Sequence, residues 1–448
     1  MKTAFRGGGY GFATYGSPFD GWLLVARKWA RLMEARRKLW YNVRAPAPSK
    51  GAERKDGQMK FSRRTFLGMT AATAATRLHA ASDPAWTVDG IPLPEWAVAA
   101  IRDGTARYRA WKGTDETVAF PLITDIHSHA PGFNAKTPNW NDSKSHVIFQ
   151  RAIAHATDSD FLANLGDMDF DVNILGSAPE WDKVQPVIDG FVKVYEKEPL
   201  PTLFSMGNHD HARGRYTSKQ FGDTFNRGVN KGKGHDIVLS ECGTWGYYDI
   251  PAKKFRMVFL NTSDEGYGGM SRGQLQFLAD TFLAAPEGWH VAVMQHIQAP
   301  HILGCWRRFL EPSSMKREMI FMQIVDDFAH HRGGLVQGFH NPPITGEYDK
   351  IKWDFSGAKA SFVGAFFGHT HLERHMNIDG VNWTTRPGYG TTPRDCIVMG
   401  ARCPKIELKF NRSRDMMIDL VAVKPAQRAV HVFRFGCGGP KSELEFTY

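Results

Sequence analysis

From residue 118 onward, short apolar runs alternate with longer segments whose apolar positions recur every three or four residues. The runs 118–126, 161–165, 203–206, 290–295 and 362–367 are too short for helices and are bounded by turn residues, so they predict strands. Segments 147–156, 181–197, 271–284 and 314–331 carry the helical period. In the second of these, Trp181, Val184, Val187, Ile188, Phe191 and Val192 fall on one face. In the third, Ser271 stands where an N-cap belongs. Segments 245–250 and 255–261 predict a hairpin around Pro251-Ala252-Lys253-Lys254, and 376–383 a hairpin around Asp379-Gly380. Segments 416–423 and 429–435 predict a closing antiparallel pair, and 82–115 a linker and helix ahead of the first strand. The alternation predicts an α/β fold. Open α/β sheets gather ligands at the carboxyl edges of their strands. Asp125, Asp167, Asn208, His296 and His369 all follow apolar runs and belong to that edge, with loops 130–146, 211–243 and 297–350 as its rim.

Composition narrows the class. Of 448 residues, 42% are hydrophobic and 23% charged, which excludes a disordered or low-complexity chain. Five cysteines without a C-x-x-C exclude a disulfide-built scaffold and a thiolate zinc ribbon, although Cys396 and Cys403 could pair in an oxidising compartment. No apolar run of about 18 residues predicts a membrane-spanning helix. The net charge of +10 is local: residues 1–58 hold twelve Lys/Arg against four Asp/Glu, and Lys60, Arg63, Arg64 and Arg77 follow. Residues 81–448 carry a net of −2, so no basic footprint for nucleic acid is expected there.

The basic end reads as an address. Ser62-Arg63-Arg64-Thr65-Phe66-Leu67-Gly68 precedes a weakly apolar Ala/Thr stretch and small residues at Ala80 and Ala81. It resembles a twin-arginine export signal over 59–81. Residues 1–58 are then either an upstream misread of the start codon or a basic extension whose stretch 22–40 could lie on a membrane. The resemblance implies the twin-arginine export machinery as a partner, a periplasmic or secreted location, and no stable membrane anchor after processing. Residues 82–117 form a linker and N-terminal helix, and 118–448 the main domain.

Five blocks carry the chemistry: Asp125-Ile126-His127, Gly166-Asp167, Gly207-Asn208-His209-Asp210, His296, and Gly368-His369-Thr370-His371. Their order closely resembles the calcineurin-like metallophosphoesterase superfamily. That resemblance implies a four-layer α/β/β/α sandwich around two divalent or trivalent metal ions. Two cations that close need a shared anionic ligand, and Asp167 fits that role. Asp125, His127 and His371 would complete one metal, and Asn208, His296 and His369 the other. Mixed nitrogen and oxygen donors suit Fe, Mn or Zn over Ca and Mg. The implied reaction is hydrolysis of phosphomonoesters or phosphodiesters of small organic molecules by metal-activated hydroxide. His209 would face the leaving group as acid or charge stabiliser, with Asp210 orienting its turn. Asn208 and Arg213 are candidates for holding the phosphate, Arg213 and Arg215 by bidentate hydrogen bonds.

The second block departs from the family pattern. Many members read Gly-Asp-x-x-Asp, where Phe170 stands here, so Asp169 or Asp171 must orient His209 or something else does. Purple acid phosphatases carry tyrosine at that position, and their first block is Asp-x-Gly. A colourless enzyme is therefore expected. His129, His211, His301, His340 and His375 flank the blocks, and most of them must serve other purposes. Trp140 could stack on an organic leaving group. The alternative from another class is a catalytically silent phosphoesterase-fold binding protein, which would typically lack a ligand.

Overall fold

The computed structural model describes residues 87–126, 140–168, 181–211, 216–264, 269–298, 312–335, 350–369, 374–378, 380–385 and 417–448. The chain divides into two units, Met1–Ala81 and Ser82–Tyr448, and every described residue belongs to the second. The leader motifs, His127, His129, Asp169, Phe170, Asp171, Arg213, Arg215, His301, His340, His371, Cys396 and Cys403 lie outside the described residues.

The described chain opens with a small hairpin, β1 (Thr87–Val88) and β2 (Ile91–Pro92), and helix α1 (Glu95–Lys112). Then follow β3 (Val118–Ile123), α2 (Trp140–Ala156), β4 (Leu162–Asn164), α3 (Trp181–Tyr195) and β5 (Thr202–Phe204). A short helix α4 (Ser218–Phe221) runs into a wide-turned helical stretch, Gly222–Val229. Next come β6 (Ile237–Leu239), β7 (Gly246–Ile250), β8 (Phe255–Phe259), α5 (Arg272–Leu283), β9 (His290–Gln295) and α6 (Pro312–Ala329). The rest is β10 (Gly333–Leu335), β11 (Lys352–Asp354), β12 (Ser361–Phe367), β13 (Arg374–Ile378), β14 (Val381–Thr385), β15 (Met417–Lys424), β16 (Ala429–Gly436) and β17 (Leu444–Thr447).

Two large sheets result. One runs β17-β16-β15-β3-β4-β5, the other β13-β14-β12-β9-β8-β7-β6. In the first, β3-β4-β5 are parallel and end at the β5 edge, with antiparallel strands on the β15 side; in the second, β8-β9-β12-β14 form a parallel centre with antiparallel strands at both flanks. The two-residue side-chain period sorts each strand between two cores. In β3, Val118, Phe120 and Leu122 face the second sheet, and Phe120 meets Phe366 at 6.1 Å between ring centroids. Ala119 and Ile123 face the opposite way, onto a core shared with α1, α2 and α3. In the second sheet, Met257, Ala292 and Phe366 point to the middle, while Val258, Val293 and Phe367 pack against α5 and α6. Helices, sheet, sheet and helices thus form four layers, the α/β/β/α sandwich. Strands buried on both faces read as near-continuous apolar runs, which is why the sequence displays them.

The rim differs from expectation. Helix α2 starts at Trp140, inside the segment 130–146 that the sequence pattern assigns to a loop. Its first turns are polar, so the apolar period that marks a helix begins only at Val147. The segment 211–243 is not simply loop either: it holds α4, the wide-turned stretch and β6. Thr217 caps α4 through a reciprocal box with Gln220. Among the described residues, no helix is long and apolar enough to cross a membrane.

Candidate metal centre

The parallel strands stop a few residues before the residues of interest. Asp125 follows β3, Asp167 follows β4, Asn208 follows β5, His296 follows β9 and His369 follows β12. Asp125, Asp167 and His369 adopt left-handed backbones, with φ of 54°, 51° and 69°. Such conformations are uncommon outside glycine and concentrate at functional sites, where the surroundings hold them. Here the holding bonds are visible. The Asp125 N–H donates to the Gly166 carbonyl at 2.9 Å, and the Asp167 N–H donates to Asp210 Oδ2 at 2.9 Å. The His369 N–H donates to Asp125 Oδ2 at 2.9 Å.

The glycines of two blocks have a steric reason. A Cβ on Gly207 would lie 2.1 Å from Asp167 Oδ1, and one on Gly368 would lie 2.0 Å from Thr124 Oγ1 and 2.6 Å from Asp125 Oδ2. Each glycine lets a ligand-bearing turn press against the turn opposite.

The side chains converge. His296, fully buried, donates its Nδ1–H to the Leu165 carbonyl at 2.8 Å. Its Nε2 then faces Asp167 Oδ2 at 3.0 Å and Asn208 Oδ1 at 3.1 Å. The His369 ring lies 5.2 Å from that of His296. One ligand atom from each of Asp167, His296 and His369 lies within 4.8 Å of the others. Asp125 is buried, its Oδ2 accepting the Thr124 hydroxyl at 2.6 Å.

The electrostatics are those of an anionic pocket. Burial by itself disfavours the charged form of His296, but the Asp167 carboxylate outweighs it and pushes the pKa up to about 9. Burial, and then the positive charge on His296, push His369 down to about 3, so its imidazole is neutral and keeps a lone pair to donate. Burial and the neighbouring Asp167 raise the pKa of Asp210. A proton on His296 Nε2 is held by the same oxygens that would hold a cation, and a metal competes with it. Buried carboxylates and imidazoles sharing so small a space fit a metal of the mixed N/O class.

Asn208 and His209 are half-buried at the mouth of this cluster. The His209 N–H donates to Asp167 Oδ1 at 2.8 Å, and its Nε2 lies 3.9 Å from Asp167 Oδ2. Asp210 is 1% exposed and accepts the N–H groups of Asp167 and Gly207 at 2.9 and 2.8 Å. It ties two turns together rather than reaching outward, and it is not a helix cap. His375 stacks on Phe446 at 4.7 Å.

Motif reading missed Thr124 and Asn164. Asn164 Oδ1 accepts the Gly166 N–H at 2.9 Å, and its Nδ2 donates to Tyr195 Oη, which in turn donates to Gln150. This buried chain braces the Asp167 turn from the helix side. Its one sequence signal is position, immediately before or within three residues of an aspartate.

No family model matches the chain, and no curated protein matches it. Solved structures do. One is a conserved uncharacterised protein described as a predicted phosphoesterase from Streptococcus pneumoniae TIGR4, at 9% identity and TM-score 0.26, covering 74% of this chain and 99% of that one. A purple acid phosphatase from yellow lupin (Lupinus luteus) seeds matches at 10% identity and TM-score 0.37, covering 74% of this chain and 54% of that one. Vacuolar Protein Sorting 29 from Cryptosporidium parvum matches at 10% identity and TM-score 0.28, covering 75% of this chain and 100% of that one. At such identities and scores these likenesses carry no functional weight, and the chemistry of the site rests on the chain's own geometry.

Proposed function

We propose that this protein is an exported, metal-dependent phosphoesterase that hydrolyses phosphomonoesters or phosphodiesters of small organic molecules. The observation that supports it is the convergence of Asp125, Asp167, Asn208, His296 and His369 from the strand ends of two facing sheets. His127 and His371 would complete the set, giving two ions of the Fe, Mn or Zn class that share Asp167. When bound, such ions supply an acidified water and polarise the phosphoryl oxygens.

The chain's own residues do the rest. Asp210 holds the Asp167 backbone N–H and the His209 N–H holds its carboxylate, so the donor atoms need little rearrangement to take up charge. The Leu165 carbonyl fixes the His296 tautomer and keeps Nε2 directed at the cluster. Asn208 offers a neutral oxygen and an amide donor at the mouth of the site. His209, 23% exposed, can hold a proton beside Asp167 and give it to the leaving oxygen. The leader resembling a twin-arginine signal would deliver the folded, metallated protein to the periplasm or beyond.

The test is metal analysis of the purified protein, with hydrolysis of p-nitrophenyl phosphate and bis(p-nitrophenyl) phosphate. Stoichiometric Mn, Fe or Zn and turnover are expected, with both lost in Asp167→Asn. His209→Gln should keep the metal and lower kcat by about a hundredfold, more for alkyl than for aryl leaving groups. A protein that binds metal tightly and turns over neither ester would be the silent binding protein instead.

A further inference from the structure

Around the metal centre many buried polar groups are paired within the fold. The Asn261 N–H donates to Gln274 Oε1 at 2.6 Å, and the Gln274 amide returns a bond to the Asn261 carbonyl at 2.8 Å. Asn261 Nδ2 reaches Thr244 at 3.1 Å, and Thr262 Oγ1 accepts the Ile297 N–H at 3.1 Å. Asp210 Oδ1 and Gln295 Oε1 nevertheless lack a partner among the described residues, and so do three further groups in the adjoining loops. Ser263, 1% exposed, has a hydroxyl with no partner among the described residues. Gln298, also 1% exposed, has neither its amide oxygen nor its amide nitrogen paired among them. His211 Nε2 is likewise buried and unpartnered among the described residues. A buried polar atom without a partner costs about 1–3 kcal/mol, and an amide unpaired at both ends costs more than one such atom.

These three groups belong to the site's own loops. His211 lies two residues past His209, and Gln298 lies two past His296. Ser263 follows β8, the strand paired with β9. The loops are fixed to one another. The Ser263 backbone lies close enough to the His211 ring to favour its protonated form, the Ile297 N–H bonds Thr262, and the Ser263 N–H donates to Asn261 Oδ1 at 2.8 Å. The groups are held in place yet left unused by the fold, as expected of groups reserved for a ligand.

We infer that His211, Ser263 and Gln298 form a neutral polar subsite beside the metal centre that receives a hydroxyl-bearing leaving group, such as a polyol or sugar. This rests on the phosphoesterase reading for where the phosphate lies. An amide, a hydroxyl and an imidazole nitrogen together offer donors and acceptors, which is what a hydroxyl needs. Burial lowers the His211 pKa, so the ring is neutral near pH 7. A second phosphate would find no charge to pair with in these three, and it would meet Asp264, whose field His211 already feels.

The experiment uses the full-length, manganese-loaded protein and two non-hydrolysable ligands of equal charge, 3,4-dihydroxybutylphosphonate and butylphosphonate, titrated calorimetrically. The dihydroxy ligand should bind about tenfold tighter or better, because a site built for hydroxyls discriminates against their absence. Gln298→Leu should reduce that preference to within about threefold, and Ser263→Ala should reduce it part way. Should Gln298→Leu fail to fold, Ser263→Ala, the removal of a single oxygen, decides. Equal affinities in the unmodified protein, no binding of either phosphonate, or a preference unmoved by the substitutions would overturn the subsite. Hydrolysis of p-nitrophenyl phosphate by the same preparation separates the two readings. Preference without turnover removes the phosphoesterase and keeps the subsite; turnover without preference does the reverse.

Discussion

Asp167 gathers more of the site than any other described side chain. Its N–H is held by Asp210, its Oδ1 by the His209 N–H, and its Oδ2 faces His296. The turn that carries it adopts a left-handed backbone and lies against Gly207 with no space to spare. A methyl group at Gly207 would stand 2.3 Å from the Asp167 backbone nitrogen, an atom that cannot swing aside as a side-chain tip can. Gly207→Ala should therefore cost about 1–3 kcal/mol in overpacking and also displace the carboxylate. A lower melting temperature together with a substoichiometric metal content is expected. A variant that melts normally and carries its full metal complement would mean that the turn yields more easily than this geometry allows. The converging set of Asp125, Asp167, Asn208, His296 and His369 was legible in the sequence because metal-binding residue types recur after apolar runs in a set order. Thr124 and Asn164 were not, because a hydroxyl or an amide that braces a ligand looks like any other threonine or asparagine until the partner atoms are known. The pairing failures of Ser263 and Gln298 were invisible for the same reason.

At the scale of elements, α2 is tied to its surroundings by an ionic cluster built around the buried pair Arg151 and Glu198. Arg151, 2% exposed, donates to Glu198 at 2.9 Å and to Asp89 at 2.5 Å, and His155 bonds Glu198 at 3.0 Å. Asp89 comes from the β1-β2 turn and Glu198 from the end of α3, so one guanidinium joins three elements. Burial alone would raise the Glu198 pKa, but the bonds from His155 and Arg151 outweigh it and hold the carboxyl below its ordinary value of 4.5. Its folded form thus binds fewer protons than its unfolded form, and its contribution, present above pH 4.5, is lost as the pH falls through the folded value. His155 behaves oppositely. The bond to Glu198 lifts its pKa above the ordinary 6.5, so its contribution is full below 6.5 and fades as the pH rises through the folded value. The cluster is therefore strongest between about pH 5 and 6.5. Urea unfolding from pH 3.5 to 8 should show both arms, and Glu198→Gln should flatten both while lowering stability by about 1–3 kcal/mol. Parallel pH curves for the two proteins would mean that the cluster is not the titrating element. Hydrophobic period located α2 and α3 in the sequence. It had no means of joining residues 62 and 47 positions apart, and it placed the start of α2 too late because polar first turns carry no period.

For the whole molecule, the decisive fact is that the candidate ligands come from both sheets. Asp125, Asp167 and Asn208 belong to the β3-β4-β5 edge, and His296 and His369 to the β9-β12 edge. The bonds from His296 to Leu165 and from His369 to Asp125 already cross between them. Sequence pattern alone reached an α/β fold. The layering came from resemblance, and the strand orders were out of reach because they depend on which apolar faces meet. Once that geometry is known, metal binding becomes a statement about stability. Ions held by groups from two sheets bind the folded chain and find no such array in the unfolded one, so they stabilise by mass action, by about 4 kcal/mol at a thousandfold excess over Kd. In a domain of this size that corresponds to roughly five degrees in Tm. Scanning calorimetry after chelation, then with added manganese or zinc, should show a Tm that climbs with metal concentration. Asp167→Asn should abolish most of the climb, and amide exchange at the carboxyl ends of β4, β9 and β12 should slow together on metal addition. A Tm indifferent to metal in the unmodified protein would leave the two sheets joined by their apolar interface and the crossing hydrogen bonds alone, and the shared centre would lose its physical basis.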